Sequence, residues 1–221
     1  MKTKLLPFDK RELLSYNLEK EIGYGEKLAE LKGFTYFVGI DEAGRGPLAG
    51  PVVAASVYLN NYEIKELNDS KKLTDKKRRE LFLQIIKNMI VGIGIVDEKI
   101  IDKINILNAT KKAMLLSVEE IQKKIDIQLL LIDGNQKLIT NIEQITIVKG
   151  DSLSYSIAAA SIIAKVTRDN IMLKYDKLYP EYGFKNHSGY PTKKHIEAIN
   201  KYGILDIHRK TFKPIKNLIT N

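Results

Sequence analysis

The chain has 221 residues, 44% hydrophobic and 29% charged, a balance that supports a buried core and excludes a disordered chain. The absence of cysteine excludes disulfides, thiolate zinc sites and cysteine nucleophiles, and no apolar run reaches the ~18 residues of a membrane span. A net charge of +9 favours a polyanionic partner, because neutralising phosphates releases counterions.

The start, MKTKLLPFDKRELL, carries charge where a signal peptide needs its apolar stretch, so a cytoplasmic protein is expected. Residues 8–32 are charged and helix-forming and read as an appended helical arm. The first strand is TYFVGI at 35–40, and VVAASVYL after Pro51 pairs with it through a glycine-rich turn, giving a hairpin at 35–59. Thr74 caps a helix running to about Asn88, and MIVGIGIVD at 89–97 is a third strand. A helix near 107–123 and strands at 127–133 and 144–150 follow. The longest helical stretch begins after Asp151 and stops before Pro180, and its alanines at 158–160 and 164 let it lie close against a sheet. The order predicts an α/β fold, a mixed sheet flanked by helices, with an arm at 1–33, a core at 34–180 and a C-terminal helical region at 181–221. From Lys185 onward eight Lys/Arg face two acids, which places the polyanion near that end.

The segment GIDEAGRGPLAGPVVAA at 39–55 fits a dinucleotide-binding glycine pattern through Gly44, Gly46 and Ala49. Context rejects that reading: the turn leads into a strand rather than a helix N-terminus, and Asp41 and Glu42 would repel a pyrophosphate. The same two acids make sense with a divalent cation between them and a phosphate. Neighbours on a strand point to opposite faces, so both serve one site only where the strand ends or bends; otherwise they are a surface pair. Asp133 closes an apolar run, as a solvated strand end or as a ligand at the sheet edge. Asp151 precedes the long helix, as its N-cap or as a ligand. Four carboxylates at the ends of apolar segments match the hard oxygen donors that Mg²⁺ or Mn²⁺ takes.

Five ordered blocks carry a family resemblance: residues 39–55, NDSKKLTDKKRREL at 68–81, LIDGN at 131–135, KGDSLSYSIAAASIIAKVTRD at 149–169 and HSGYPTKKHIEAI at 187–199. Together they resemble bacterial ribonuclease HII. The resemblance implies a ribonuclease H-like core followed by a substrate-bearing helical region. It implies hydrolysis of the RNA strand of RNA–DNA hybrids and incision at single ribonucleotides in duplex DNA, leaving 5′-phosphate and 3′-hydroxyl ends, with two Mg²⁺ or Mn²⁺ ions. The four acids correspond to Asp41, Glu42, Asp133 and Asp151; Gly44, Arg45 and Gly46 to a segment whose backbone reads the ribose 2′-hydroxyl; and Tyr190 to a ring at the RNA–DNA junction. Glycines let a backbone approach a sugar closely, although a tight turn alone also explains them.

Lys71 and Lys72 are assigned to phosphate contact and Lys76, Lys77, Arg78 and Arg79 to a solvated helix face. Lys165 and Arg168, three apart on one helix face, are assigned to the nucleic-acid backbone. His187, His195 and His208 lack metal-binding spacing and read as surface or loop residues, and HRKTF at 208–212 is assigned to duplex contact. A monomer is expected. The rival reading is a non-catalytic basic duplex-binding module, which would tolerate loss of the acids.

Overall fold

The computed structural model describes residues 21–60, 67 and 73–219. Helix α1 (Tyr24–Leu31) is followed by β1 (Phe37–Ala43), β2 (Val52–Tyr58), α2 (Asp75–Asn88), β3 (Ile90–Val96), α3 (Glu98–Gln122), β4 (Leu129–Asp133), β5 (Glu143–Ile147) and α4 (Tyr155–Leu178). The C-terminal region adds α5 (Phe184–His187), α6 (Lys193–Tyr202) and α7 (Ile215–Ile219). The five strands form one mixed sheet in the order β3-β2-β1-β4-β5. β1, β2 and β3 run antiparallel as the expected hairpin and its extension, and β4 and β5 lie parallel to β1.

Alternation along the strands divides the core. Val38, Ile40, Val52, Ala54, Leu130 and Ile132 face α3, where they meet Ala113, Met114, Val118 and Ile121. On the other face Ala55 and Val57 meet α2 and the alanine run of α4. Two glycines set the closeness of α3: a Cβ on Gly92 or Gly94 would lie 2.0 or 1.9 Å from the carbonyl oxygens of Ser117 and Ala113. Gly39 does the same for α4, since its Cβ would lie 2.2 Å from the Ile157 nitrogen.

α3 begins at Glu98, earlier than the sequence suggests. It bends at Asn105, whose φ of 65° leaves the helical region while its Oδ1 accepts from the Asn108 amide. The bend breaks the apolar period and hides the first two turns from a periodicity argument. α4 is capped by Ser154, whose hydroxyl accepts from the Ile157 amide at 3.3 Å. Asp151 is therefore not the cap that the sequence offered; it sits in a preceding 3₁₀ turn at Gly150–Ser152. The arm contributes instead. Glu26 of α1 accepts from the Tyr155 and Ser156 amides and from the hydroxyls of Ser154 and Ser156, so donors left open in the first turn of α4 are met by a carboxylate 128 to 130 residues earlier in the chain.

A third cluster joins Leu48, Ala49 and Met172 to Tyr182, Phe184, Ala198, Ile199, Ile207 and Ile215. It seats the C-terminal helices on the far half of α4, beside the turn between β1 and β2.

Candidate active site

The site lies where β1 and β4 part. Their parallel pairing ends at Ile40 with Ile132, so Asp41 and Asp133 are the next residues on neighbouring strands, at their carboxyl ends. β1 continues with β2 on one side while β4 is joined by β5 on the other. In α/β sheets such a divergence opens a crevice for ligands at the carboxyl ends of the strands. One pocket there is lined by Asp41, Glu42, Gly44, Arg45, Gly46, Arg78, Asp133, Asp151, Ser161, Lys165, Arg168 and Tyr190, among others.

The adjacent pair Asp41 and Glu42 thus does serve one cavity. Asp41 is 7% exposed on the α4 face, and its Oδ1 accepts from the Glu42 amide at 2.7 Å. Glu42 Oε1 accepts from Arg45 at 3.2 Å. Asp133 Oδ1 accepts from the Gly150 amide at 2.7 Å, tying β4 to the turn that carries the buried Asp151. Burial, then the charges of Glu42 and Asp133, push the Asp41 carboxyl well above its usual range, against hydrogen bonds from Ser161 and the Glu42 amide. Burial also raises Glu42, with Arg45 opposing and Asp133 adding to the rise. Arg45 offsets only part of this rise, and a divalent cation would supply further positive charge.

The donor set fits such a cation: it is all carboxylate oxygen, with no sulfur. Among the described residues no three His, Asp or Glu side chains are drawn together into a ligand shell. Mg²⁺ needs no such shell, because it takes one or two carboxylates and fills its remaining positions with water and substrate phosphate.

Gly44, Arg45 and Gly46 line the pocket, and Tyr190, 43% exposed, stands beside them. A Cβ built on Gly46 would touch Tyr190 Cε1 at 3.4 Å. Lys165 reaches the pocket and pairs with Asp169 at 2.8 Å. Arg168 departs from its expected role. It is 1% exposed, and its guanidinium donates to the carbonyl oxygens of Pro51, Ser188 and Ala49, so it holds the protein's own backbone. Lys71 and Lys72 lie outside the described residues.

Three further assignments change. Arg78 is not on a solvated face: it lines the pocket while donating to the Leu73 carbonyl at 3.0 Å. His208 and Arg209 do not reach out to a duplex, since both are fully buried. Arg209 donates to the carbonyls of Gly44, Arg45 and Gly50. The histidines are also buried rather than surface residues, His187 and His195 stacking at 4.6 Å and His195 and His208 at 5.3 Å. The Leu205 amide donates to His208 Nδ1, which leaves the proton on His208 Nε2, facing His195 Nε2 at 3.1 Å. His195 Nδ1 then carries its proton toward the Tyr190 carbonyl at 2.9 Å. Burial lowers the pKa of both His195 and His208 to about 4. Sequence spacing gave no signal for this cluster, because its members come from three separate segments and meet only by packing around Phe184.

A mixed five-stranded sheet with carboxylates at the parting of its two central parallel strands defines a ribonuclease H-like nuclease. Comparison with known proteins narrows this. The ribonuclease HII family model matches residues 38–215. A ribonuclease HII of Acetivibrio thermocellus is 60% identical over 196 residues, covering 88% of this chain and 75% of that protein. Among solved structures, the ribonuclease H2 of Pyrococcus horikoshii superposes with a TM-score of 0.68 at 29% identity, covering 83% of this chain and 97% of the other. Bst-RNase HIII, solved in complex with Mn²⁺, shares the fold at a TM-score of 0.67 and 21% identity, covering 84% of this chain and 69% of its own. The chain belongs to the ribonuclease HII family. It is a hydrolase, an endoribonuclease acting on RNA–DNA hybrids, and the reading as a non-catalytic binding module is not favoured. No helix among the described residues is long and apolar enough to cross a membrane.

Proposed function

We propose that this pocket cleaves the RNA strand of hybrids and also incises duplex DNA at a single ribonucleotide, leaving 5′-phosphate and 3′-hydroxyl ends, with Asp41, Glu42, Asp133 and Asp151 as ligands for two divalent cations, Mg²⁺ or Mn²⁺. The observation that carries the reading is the convergence of these four acids on one pocket ringed by Arg45, Arg78 and Lys165. A purely acidic pocket would repel phosphate; with cations bound and basic side chains at its rim, it draws the backbone in. The Mn²⁺ complex of the ribonuclease HIII with this fold supports the metal.

Bound ions would supply positive charge at the scissile phosphate and lower the pKa of the attacking water. The chain's own residues do the rest. The carboxylates, held by the Gly150 and Glu42 amides, fix where charge is concentrated before substrate arrives. Gly44, Arg45 and Gly46 present backbone to the ribose 2′-hydroxyl, and the Tyr190 ring packs on the adjacent deoxyribose. Arg78 and Lys165 contact phosphates. No imidazole lines the pocket, so a histidine general base has no part in the reaction. The basic C-terminal region at 181–221 bears on the duplex, and the protein works as a cytoplasmic monomer.

The test is incubation of the purified protein with Mg²⁺ or Mn²⁺ and matched duplexes containing one ribonucleotide or none. Cutting of the first alone, at the ribonucleotide, is the expected result. Equal cutting of both, or cutting that survives in EDTA, would refute the reading.

A further inference from the structure

We propose that Arg168 and Arg209 are positioning residues for sugar recognition, a pair of guanidinium clamps that pull the carbonyls of the glycine turn and of the Tyr190 loop inward. The inference rests on the proposed role of residues 44–46 and Tyr190 in reading the ribose.

The two side chains make seven hydrogen bonds, all to backbone carbonyls. Arg209 donates from Nη2 to Gly44 at 2.6 Å and to Gly50 at 2.7 Å, from Nη1 to Arg45 at 2.9 Å, and from Nε to Gly50 at 3.0 Å. Arg168 donates from Nε to Pro51 at 3.0 Å, from Nη2 to Ala49 at 3.1 Å and from Nη1 to Ser188 at 3.0 Å. Arg209 thus grips the turn itself, while Arg168 links its outgoing end to the loop that carries Tyr190. Backbone bonds complete the joint, from the Leu48 amide to Gly189 and from the Arg209 amide to Leu48, both at 2.8 Å.

The chain gives up much to build this. Both arginines are fully buried, and among the described residues neither forms an ion pair. Compensation comes from the Phe212 ring, 5.0 Å from the Arg209 guanidinium, and from the charges of Asp169 and of the buried Glu98, whose Oε1 has no hydrogen-bond partner among the described residues. Burying two unpaired cations is costly, and an apolar pair would fill the same space without that cost. What apolar side chains could not do is hold a turn by its carbonyls. Gly44 is shaped for the clamp as well: its φ is 95°, and a Cβ there would lie 2.1 Å from Arg168 Nε. With the carbonyls engaged from behind, the amides of Arg45 and Gly46, which have no protein acceptor among the described residues, remain as donors at the pocket wall. A guanidinium is suited to this because its donors lie in one rigid plane, whereas an ammonium of equal charge cannot span several carbonyls at fixed angles.

The experiment compares binding of a fluorescent duplex containing one ribonucleotide with its all-DNA counterpart, with Ca²⁺ in place of Mg²⁺ so that the carboxylates are neutralised and with an intact-duplex control that excludes cutting, for wild type, Arg209→Lys and Arg168→Lys. Thermal melting confirms that each variant folds. Wild type should prefer the ribonucleotide duplex by about tenfold to a hundredfold, the effect of a buried donor gaining or losing its partner. Arg209→Lys should bring that preference to about threefold or less while leaving all-DNA affinity unchanged, and Arg168→Lys should weaken it less, because the 44–45 carbonyls keep their partner. A folded Arg209→Lys with the wild-type preference overturns the proposal, as does an equal loss of affinity for both duplexes, which would mark a general structural or electrostatic role. Failure of both variants to fold also overturns it, since positioning requires that the fold stand without the clamp. A wild type that cleaves at ribonucleotides yet binds both duplexes equally refutes the backbone reading of the sugar itself, and one that cleaves neither refutes the proposed function.

Discussion

The pocket at the ends of β1 and β4 and the polar cluster behind it differ in how buried polar groups are satisfied. In the pocket, Asp41 and Glu42 are desolvated beside each other and beside Asp133, and their carboxyls are pushed toward the neutral form. In the cluster, His187, His195, His208, Arg168 and Arg209 are as deeply buried, yet their hydrogen bonds close on the protein's own backbone and on one another. An unpaired buried polar group costs about 1–3 kcal/mol, and more when charged; in the pocket an outside cation can relieve that cost, whereas in the cluster hydrogen bonds to backbone carbonyls and between rings offset part of it. Chemistry and support are therefore separable by perturbation.

The largest effect should come from the pocket. Asp41→Asn, Glu42→Gln and Asp133→Asn each remove charge that would hold cations worth several kcal/mol of transition-state stabilisation, so cleavage should fall about a hundredfold to a thousandfold. Melting in EDTA should be unchanged or higher for Asp41→Asn, because a repelled carboxylate is gone. Addition of Mn²⁺ should raise the melting temperature of the wild type, through binding to the folded state alone, and not that of the variants. A large drop in melting temperature in EDTA would show that these acids hold the fold and would erase the contrast between the two regions.

His195 and His208 should behave oppositely, with stability lost on acidification. Their folded pKa of about 4 lies below the usual 6.5, so between those values the unfolded chain binds protons that the folded one refuses. The stabilisation is complete above pH 6.5 and is lost as pH falls toward 4. At ~1.4 kcal/mol per unit, a drop of this size is worth roughly 3 kcal/mol for one ring, and because the two rings share one hydrogen bond their contributions do not add in full. Asp41 and Glu42 work with the reverse sign, so the pair must be isolated: urea unfolding of wild type and a His195→Leu/His208→Leu variant at several pH values between 7.5 and 4.5 should show a steeper fall in the wild type. Parallel curves would mean that the cluster does not titrate as a neutral relay.

Much of this was legible in the sequence, but unevenly. The hairpin, the strands and the long helix follow from alternation and turn residues, and Asp41, Glu42, Asp133 and Asp151 stood out because a carboxylate closing an apolar run is conspicuous. Arg168, Arg209 and the histidines were misread for one reason: a charged or polar residue in a loop is ordinarily solvated, and what buries these is contact among residues 44–51, 168, 182–190 and 205–209, invisible to any local pattern. Arg78 was missed because a run of four basic residues hides which one turns inward. Asp151 is not the cap of α4 because a 3₁₀ turn at Gly150–Ser152 intervenes and Ser154 takes that place, and Glu26, 128 residues upstream of Ser154, shares the task. Glu26→Gln should therefore destabilise the protein by about 1 kcal/mol, the usual worth of a helix cap with its charge, read as a lower urea midpoint with the activity of the folded protein retained.

The smallest effect separates two residues that sequence reasoning joined. Lys165 and Arg168 share a face of α4, but Lys165 is a partly exposed member of an ion pair with Asp169, with 39% of its side chain accessible, whereas Arg168 is sealed beneath the glycine turn. Lys165→Met should cost well under 1 kcal/mol of stability, because exposed ion pairs contribute about 0–1 kcal/mol. Its mark should appear in binding. If Lys165 meets one phosphate, its loss reduces the slope of log affinity against log salt by about 0.9, equally for duplexes with and without a ribonucleotide. Arg168→Lys keeps its charge away from solvent and should leave that slope alone while altering the preference for the ribonucleotide. Should Lys165→Met change the preference and Arg168→Lys the slope, the division of labour between the exposed cation and the buried one would be reversed, and the backbone clamp would have to be reassigned to phosphate binding.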